Sequence, residues 1–155
     1  MIKQIFTYGL PILLFFNIQK DNSDLEFVRS NYNKAVADKD LCALMIKDLQ
    51  QTDNETLPLA YLGGLETIWA KHAVNPISKL KTFNKGKRKI EQAVQKEPEN
   101  IEIRFIRLSV QKHAPSFLGY NKNIKEDLSF IQKNRQEIKS KILLNNVDKL
   151  LKYSK

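Results

Sequence analysis

From Leu25 onward the apolar residues of this chain recur at intervals of three and four, the spacing that lines one face of an α-helix. No stretch alternates as a strand does. Leu25, Val28, Tyr32, Ala35 and Val36 define a first helix, opened by Ser23 and Glu26 at the spacing of a capping box. Asp38 is placed to cap a second helix, striped by Leu41, Leu44, Met45 and Leu49, so that the two predict a helical hairpin. Thr52 and Glu55 repeat the box spacing, and Pro58 falls in the first turn of a third helix, where its missing N–H costs little. That helix runs to about Ala73 with Leu59, Leu62, Leu65, Ile68 and Trp69 apolar. Gly63 and Gly64 lie inside it. Each weakens a helix by about 1 kcal/mol relative to alanine, so the pair marks either the close approach of a neighbouring helix or a kink.

Asn75 and Pro76 interrupt the chain. A fourth helix is predicted from about Ile77 to Lys96, with Leu80, Phe83, Ile90, Ala93 and Val94 as its buried stripe. The turn Glu97, Pro98, Glu99, Asn100 leads to a fifth helix carrying Ile101, Phe105, Leu108 and Ser109 and ended by Pro115. After an apolar loop from Ser116 to Tyr120, Asn123 with Glu126 caps a sixth helix bearing Ile124, Leu128 and Ile131. A last helix follows Ile138, with Ile142, Leu143, Val147, Leu150 and Leu151 on one side and Lys139, Lys141, Lys149 and Lys152 on the other. Glu137 stands four residues before Lys141, the spacing of a helical ion pair. The expected fold is all-α, six or seven antiparallel helices in one domain over residues 23–155.

The first twenty residues read differently. Lys3 precedes a run from Ile5 to Ile18 that is almost wholly apolar, and polarity returns at Gln19 and Lys20. The run covers about fourteen residues, short of the roughly twenty that span a bilayer, and Pro11 interrupts it. Residues 1–20 therefore read as an export signal, and the expected location is the periplasm or cell surface. Phe16, Asn17 and Ile18 do not give the small-x-small pattern of a cleavage site, which leaves membrane tethering by an uncleaved signal as the alternative.

Composition narrows the chemistry. Five Gly and five Pro in 155 residues are few for an all-β fold, and 42% hydrophobic residues suffice for one core. The single cysteine, Cys42, excludes an intramolecular disulfide and any multi-thiolate metal site; beside Leu41, Leu44 and Met45 it reads as a small buried residue rather than a reactive thiol. His72 and His113 fall in no metal-ligand spacing, and Ser109 four residues before His113 is a helical spacing and not a catalytic pair. Gly63-Gly64 and Gly86-Lys87 lack the context of a phosphate-binding loop. No metal, cofactor or catalytic residue is expected.

Leu62 and Gly63, then Gly86, Ile90, Ala93 and Pro98, and then Phe105, Leu108 and Ser109 follow the order of small, large and proline positions of a tetratricopeptide repeat, which the chain resembles over about 55 of its 155 residues. The interval from Gly63 to Gly86 is longer than the repeat allows by about eleven residues, roughly three helical turns. Over Tyr61 to Tyr120 the chain is also similar to exported helical proteins of Bacteroidetes-type bacteria, often labelled TPR-like. This resemblance implies a helical stack and an exported compartment, and brings no functional residues with it.

A stack of helical hairpins leaves a concave surface for a partner. The residues expected to line it are Tyr61, Glu66, Arg104, Arg107, Phe117 and Tyr120, and the expected occupant is a protein or peptide. The loop Phe117-Leu118-Gly119-Tyr120 is read two ways, as a wall of that groove or as packing under adjacent helices. The net charge of +9 points to anionic partners in general. Its densest run, Lys79, Lys81, Lys85, Lys87, Arg88 and Lys89, has no acidic residue before Glu91. Lys79, Lys81, Lys85, Arg88 and Lys89 form a candidate patch for anionic lipid or glycan, against the plainer reading of a solvated helix face. Aromatic residues belong to the apolar stripes, as Phe83 does within this run, which argues against a single-stranded nucleic-acid platform.

Overall fold

The computed structural model describes residues 22–52 and 54–152; the signal-like segment 1–20 lies outside them. Seven α-helices and no strand are found among the described residues: α1 (Asn22–Asn31), α2 (Lys39–Leu49), α3 (Thr56–His72), α4 (Pro76–Lys96), α5 (Ile101–His113), α6 (Ile124–Asn134) and α7 (Lys141–Lys152). Short 3-10 turns occupy Lys34–Val36, Ser116–Leu118 and Arg135–Glu137.

The centre of the molecule is α3, in which every residue from Pro58 to Ile68 is buried. A helix without a polar face has to be surrounded, and α3 packs against α2, α4 and α5. It continues as one helix through its glycines. A Cβ on Gly63 would stand 2.7 Å from the carbonyl oxygen of Gly86 and 2.9 Å from Cγ1 of Ile90, while one on Gly86 would collide with the carbonyl of Gly63. The two glycines thus let the backbones of α3 and α4 approach each other. Gly64 makes room for the ring of Tyr32 at the end of α1, which in turn meets Tyr61 edge-on at 5.4 Å between centroids.

Around this pair, α5 packs on α3, α4, α6 and α7, and α7 returns to α1, where the Asn146 side chain donates to the backbone carbonyl of Arg29 at 2.8 Å. The two ends of the helical chain therefore meet. Trp69 is partly buried within this chain, with Lys39 Nζ 5.6 Å from its ring centroid.

Several boundaries have clear local causes. Asp38 accepts from Leu41 N–H at 2.9 Å, Asn75 from Ser78 N–H at 2.7 Å, and Asn100 from the N–H groups of Glu102 and Ile103 at 3.0 and 3.2 Å, each capping the helix that follows. Other expectations are corrected. The first helix stops at Asn31, and Ala35 reaches the core from a 3-10 turn. Ser23 lies within α1, and its side chain is outside the described ones. The Thr52–Glu55 box is not made: Thr52 donates to the Leu49 carbonyl at 3.2 Å, and Glu55 caps without a side-chain bond. Asn123 makes no capping bond to the α6 backbone, meeting instead the side chains of Gln111 and Glu126. Glu137 belongs to the 3-10 turn before α7, so it is not in helical register with Lys141; the ion pair at that corner joins Arg135 and Asp148 at 2.6 Å.

Candidate functional site

Most of the expected groove residues are turned inward. Tyr61, Glu66, Arg104, Arg107 and Tyr120 are buried, and they belong to three ion-paired clusters that tie the helices together. Arg29 forks onto Glu102 through Nε and Nη2, both at 2.7 Å, with Glu26 at 2.8 Å and Tyr61 donating to Glu102 at 2.5 Å. This joins α1, α3 and α5. The hydrogen bond and charge of Glu102 raise the Arg29 guanidinium's affinity for its proton, and burial followed by the Glu102 charge raises that of the Tyr61 phenol. Both side chains are therefore fixed as donors.

The second cluster surrounds Asp127, which is 0% exposed. Arg107 contacts it through Nε and Nη2, both at 2.7 Å, and Arg104 adds Nη1 at 2.8 Å. Arg104 also reaches Glu126 at 2.5 Å and the Pro98 carbonyl at 2.7 Å, and stacks 4.6 Å from the Phe130 ring centroid. Glu91 accepts from Tyr120 at 2.6 Å and from Arg107 at 3.3 Å. Burial opposes the charge on Arg107, but the bonds and charge of Asp127 outweigh it. The third cluster is Glu66, held by Lys89 at 2.6 Å and Lys85 at 3.0 Å, with its Oε2 buried and unpartnered.

These pairings change the picture of the basic run. Lys85 and Lys89 of the expected anionic patch are engaged by Glu66, while Lys81 and Arg88 are exposed on α4. Lys79 stands elsewhere, at the edge of an open groove.

That groove encloses about 830 Å³. Its floor is Ile68, Phe83 and Val110; its walls are the second half of α3, the first half of α4, the end of α5, the Lys34–Val36 turn and the Ser116–Leu118 turn. Phe117 is 84% exposed, Leu80 49% and Val36 41%, all on this groove, and Ile77, 82% exposed, extends the strip one helical turn from Leu80 along α4. Phe117 is the only expected groove residue that lines it. Gly119, at φ 60°, turns the chain after Phe117 in a left-handed conformation that other residues resist. The reading of Leu80 as part of a buried stripe is corrected, since it is exposed on the groove. The groove's polar groups are Asn33, Thr67, Lys71, Lys79, Ser109 and His113, with no carboxylate among the lining residues. His113 Nδ1 lies 2.7 Å from the Ser109 carbonyl, so the two do not form a nucleophile and base.

Cys42 is buried, its thiol 3.6 Å from the Leu65 carbonyl, and burial pushes its pKa up to about 11. Among the described residues no cluster of three or more His, Cys, Asp or Glu side chains is arranged to hold a metal ion, and no helix is long and apolar enough to cross a membrane. No known family, curated protein or solved structure matches this chain.

Proposed function

We propose that this protein is a non-catalytic binding protein that takes an apolar segment of a protein partner into the groove between α3, α4 and α5. The observation that carries this reading is the gathering of Val36, Leu80 and Phe117, all large and exposed, around one concavity of about 830 Å³. Contiguous exposed apolar surface of this kind marks interaction sites. The buried charges, by contrast, are consumed in holding the helices together.

The tetratricopeptide-like reading draws support from Gly63 and Gly86, the small positions of the resemblance, which meet at the α3–α4 crossing. The extra turns are accommodated in helices of 17 and 21 residues. Contact between α1 and α7 gives this version a closed outline. The export-type pattern of residues 1–20 adds an envelope location, periplasm or cell surface.

The test is retention of the full chain on an immobilised panel of amphipathic peptides, beside a Leu80→Glu, Phe117→Glu double variant. Retention should be lost in the variant with its thermal midpoint unchanged, because both side chains are exposed. Retention that survives it would move the function off the groove. A second reading, binding of anionic lipid or glycan through α4, draws on the exposure of Lys81 and Arg88. It requires that Lys81→Glu with Arg88→Glu abolish sedimentation with anionic vesicles.

A further inference from the structure

We infer that the occupant of the groove is an amphipathic helix of a partner protein that carries carboxylates beside its apolar face. This rests on the groove reading above and adds the partner's chemistry. Lys71 and Lys79 stand among the lining residues and no Asp or Glu does. The helix ends that open here change the sum but not its sign. The carboxyl ends of α3 and α5 contribute about −0.5 charge each and the amino end of α4 about +0.5, so with two lysines the rim stays at about +1.5 without His113. An apolar floor under a cationic rim selects a ligand with an apolar stripe and an acidic edge.

Two other occupants fit less well. A second copy of this chain would bring together two molecules of net charge +9. The chain's own apolar run Ile5–Ile18 contains no acidic residue and is flanked by Lys3 and Lys20. The shape also favours a helix. Phe117 and Leu80 stand exposed on the groove, and an apolar groove lined by helices is the form that receives i, i+3, i+4 and i+7 side chains of a helix laid into it.

The experiment uses the full chain and three synthetic amphipathic helices with one leucine face, flanked by Glu, by Gln or by Lys, followed by fluorescence anisotropy at low and high salt. The Glu peptide should bind at least about fivefold more tightly than the Gln peptide, and the gap should close at high salt. Lys71→Glu with Lys79→Glu should reverse the order and favour the Lys peptide. The Leu80→Glu, Phe117→Glu variant should lose all three.

Equal binding of the three peptides, abolished by the Leu80→Glu, Phe117→Glu variant, would overturn the acidic partner and keep the groove. Binding of the Glu peptide unaffected by that variant would overturn both. No binding of any peptide, with phosphatidylglycerol vesicles retained by the wild type and lost by the Lys71→Glu, Lys79→Glu variant, would assign the rim to a lipid surface and overturn the inference.

Discussion

At the residue scale, the fold depends on a few positions where a side chain has no alternative. Gly86 is one. Alanine there gains helix propensity of about 1 kcal/mol but drives its Cβ into the Gly63 carbonyl, a backbone atom that moves only if the helices separate. Gly86→Ala should therefore destabilise the protein by about 1–3 kcal/mol in urea unfolding, opposite in sign to a helix-propensity effect. Asp127 is another. Removing its carboxylate leaves Arg104 and Arg107 buried and underpaired, and Asp127→Ala should lower stability by about 3–5 kcal/mol, whereas Asp148→Ala, at an exposed pair with Arg135, should leave the urea midpoint nearly unchanged. Burial of Cys42 and its raised pKa make the thiol a reporter. At pH 8 its reaction with a disulfide reagent should track opening of the protein, and prompt modification of the folded chain would contradict the packing under Leu65.

At the element scale, helix spacing was legible, capping was legible only at Asp38, and long-range pairing was not. The 3.6-residue periodicity located seven helices because each apolar stripe is continuous in sequence. The cap at Asp38 was readable because its partner lies three residues away, whereas Asn100, read only as part of a turn, caps α5. Glu102 and Asp127 interrupt such stripes as ordinary polar residues, and their partners Arg29 and Arg107 lie 73 and 20 residues distant, beyond any local pattern. The buried residues of α2 are Cys42, Met45 and Leu49, with Leu44 outward, because α2 meets α3 along one edge. The groove was missed for a related reason. Leu80 fits the α4 stripe by spacing, yet it is exposed on the groove, where spacing alone does not tell a buried position from an open one. A sequence signal did exist in Val74 and Ile77, apolar residues around the Asn75–Pro76 interruption where polar ones are usual. Asn100→Ala should cost about 1 kcal/mol, since two α5 N–H groups lose their acceptor, while Glu55→Ala, which removes no capping bond, should be neutral in the same assay.

At the scale of the whole molecule, α2, α4 and α5 pack around α3, and an apolar groove opens between α3, α4 and α5. The charges that tie the helices also set its pH range. The hydrogen bond from Arg104 holds Glu126 below the usual carboxylate range, and the bond from Arg135 does the same for Asp148. For Glu126 the contribution is present above the unfolded value of about 4 and lost as pH falls through the folded value, while the exposed Asp148 pair adds little. Burial raises the Cys42 thiol and the Tyr61 and Tyr120 phenols, so their contribution is present below the unfolded values and lost as pH rises toward the folded ones. The urea midpoint should be flat from about pH 5 to 8 and fall on both sides.

The central claim is that the function lies in the groove and not on the basic face of α4. The most direct measurement places a photo-reactive phenylalanine analogue at Phe117, and separately at Arg88, in cells that make the protein. A discrete protein adduct from position 117, abolished by Leu80→Glu and absent from position 88, is the expected result. An adduct from position 88 with none from position 117 would contradict the groove as the site of action.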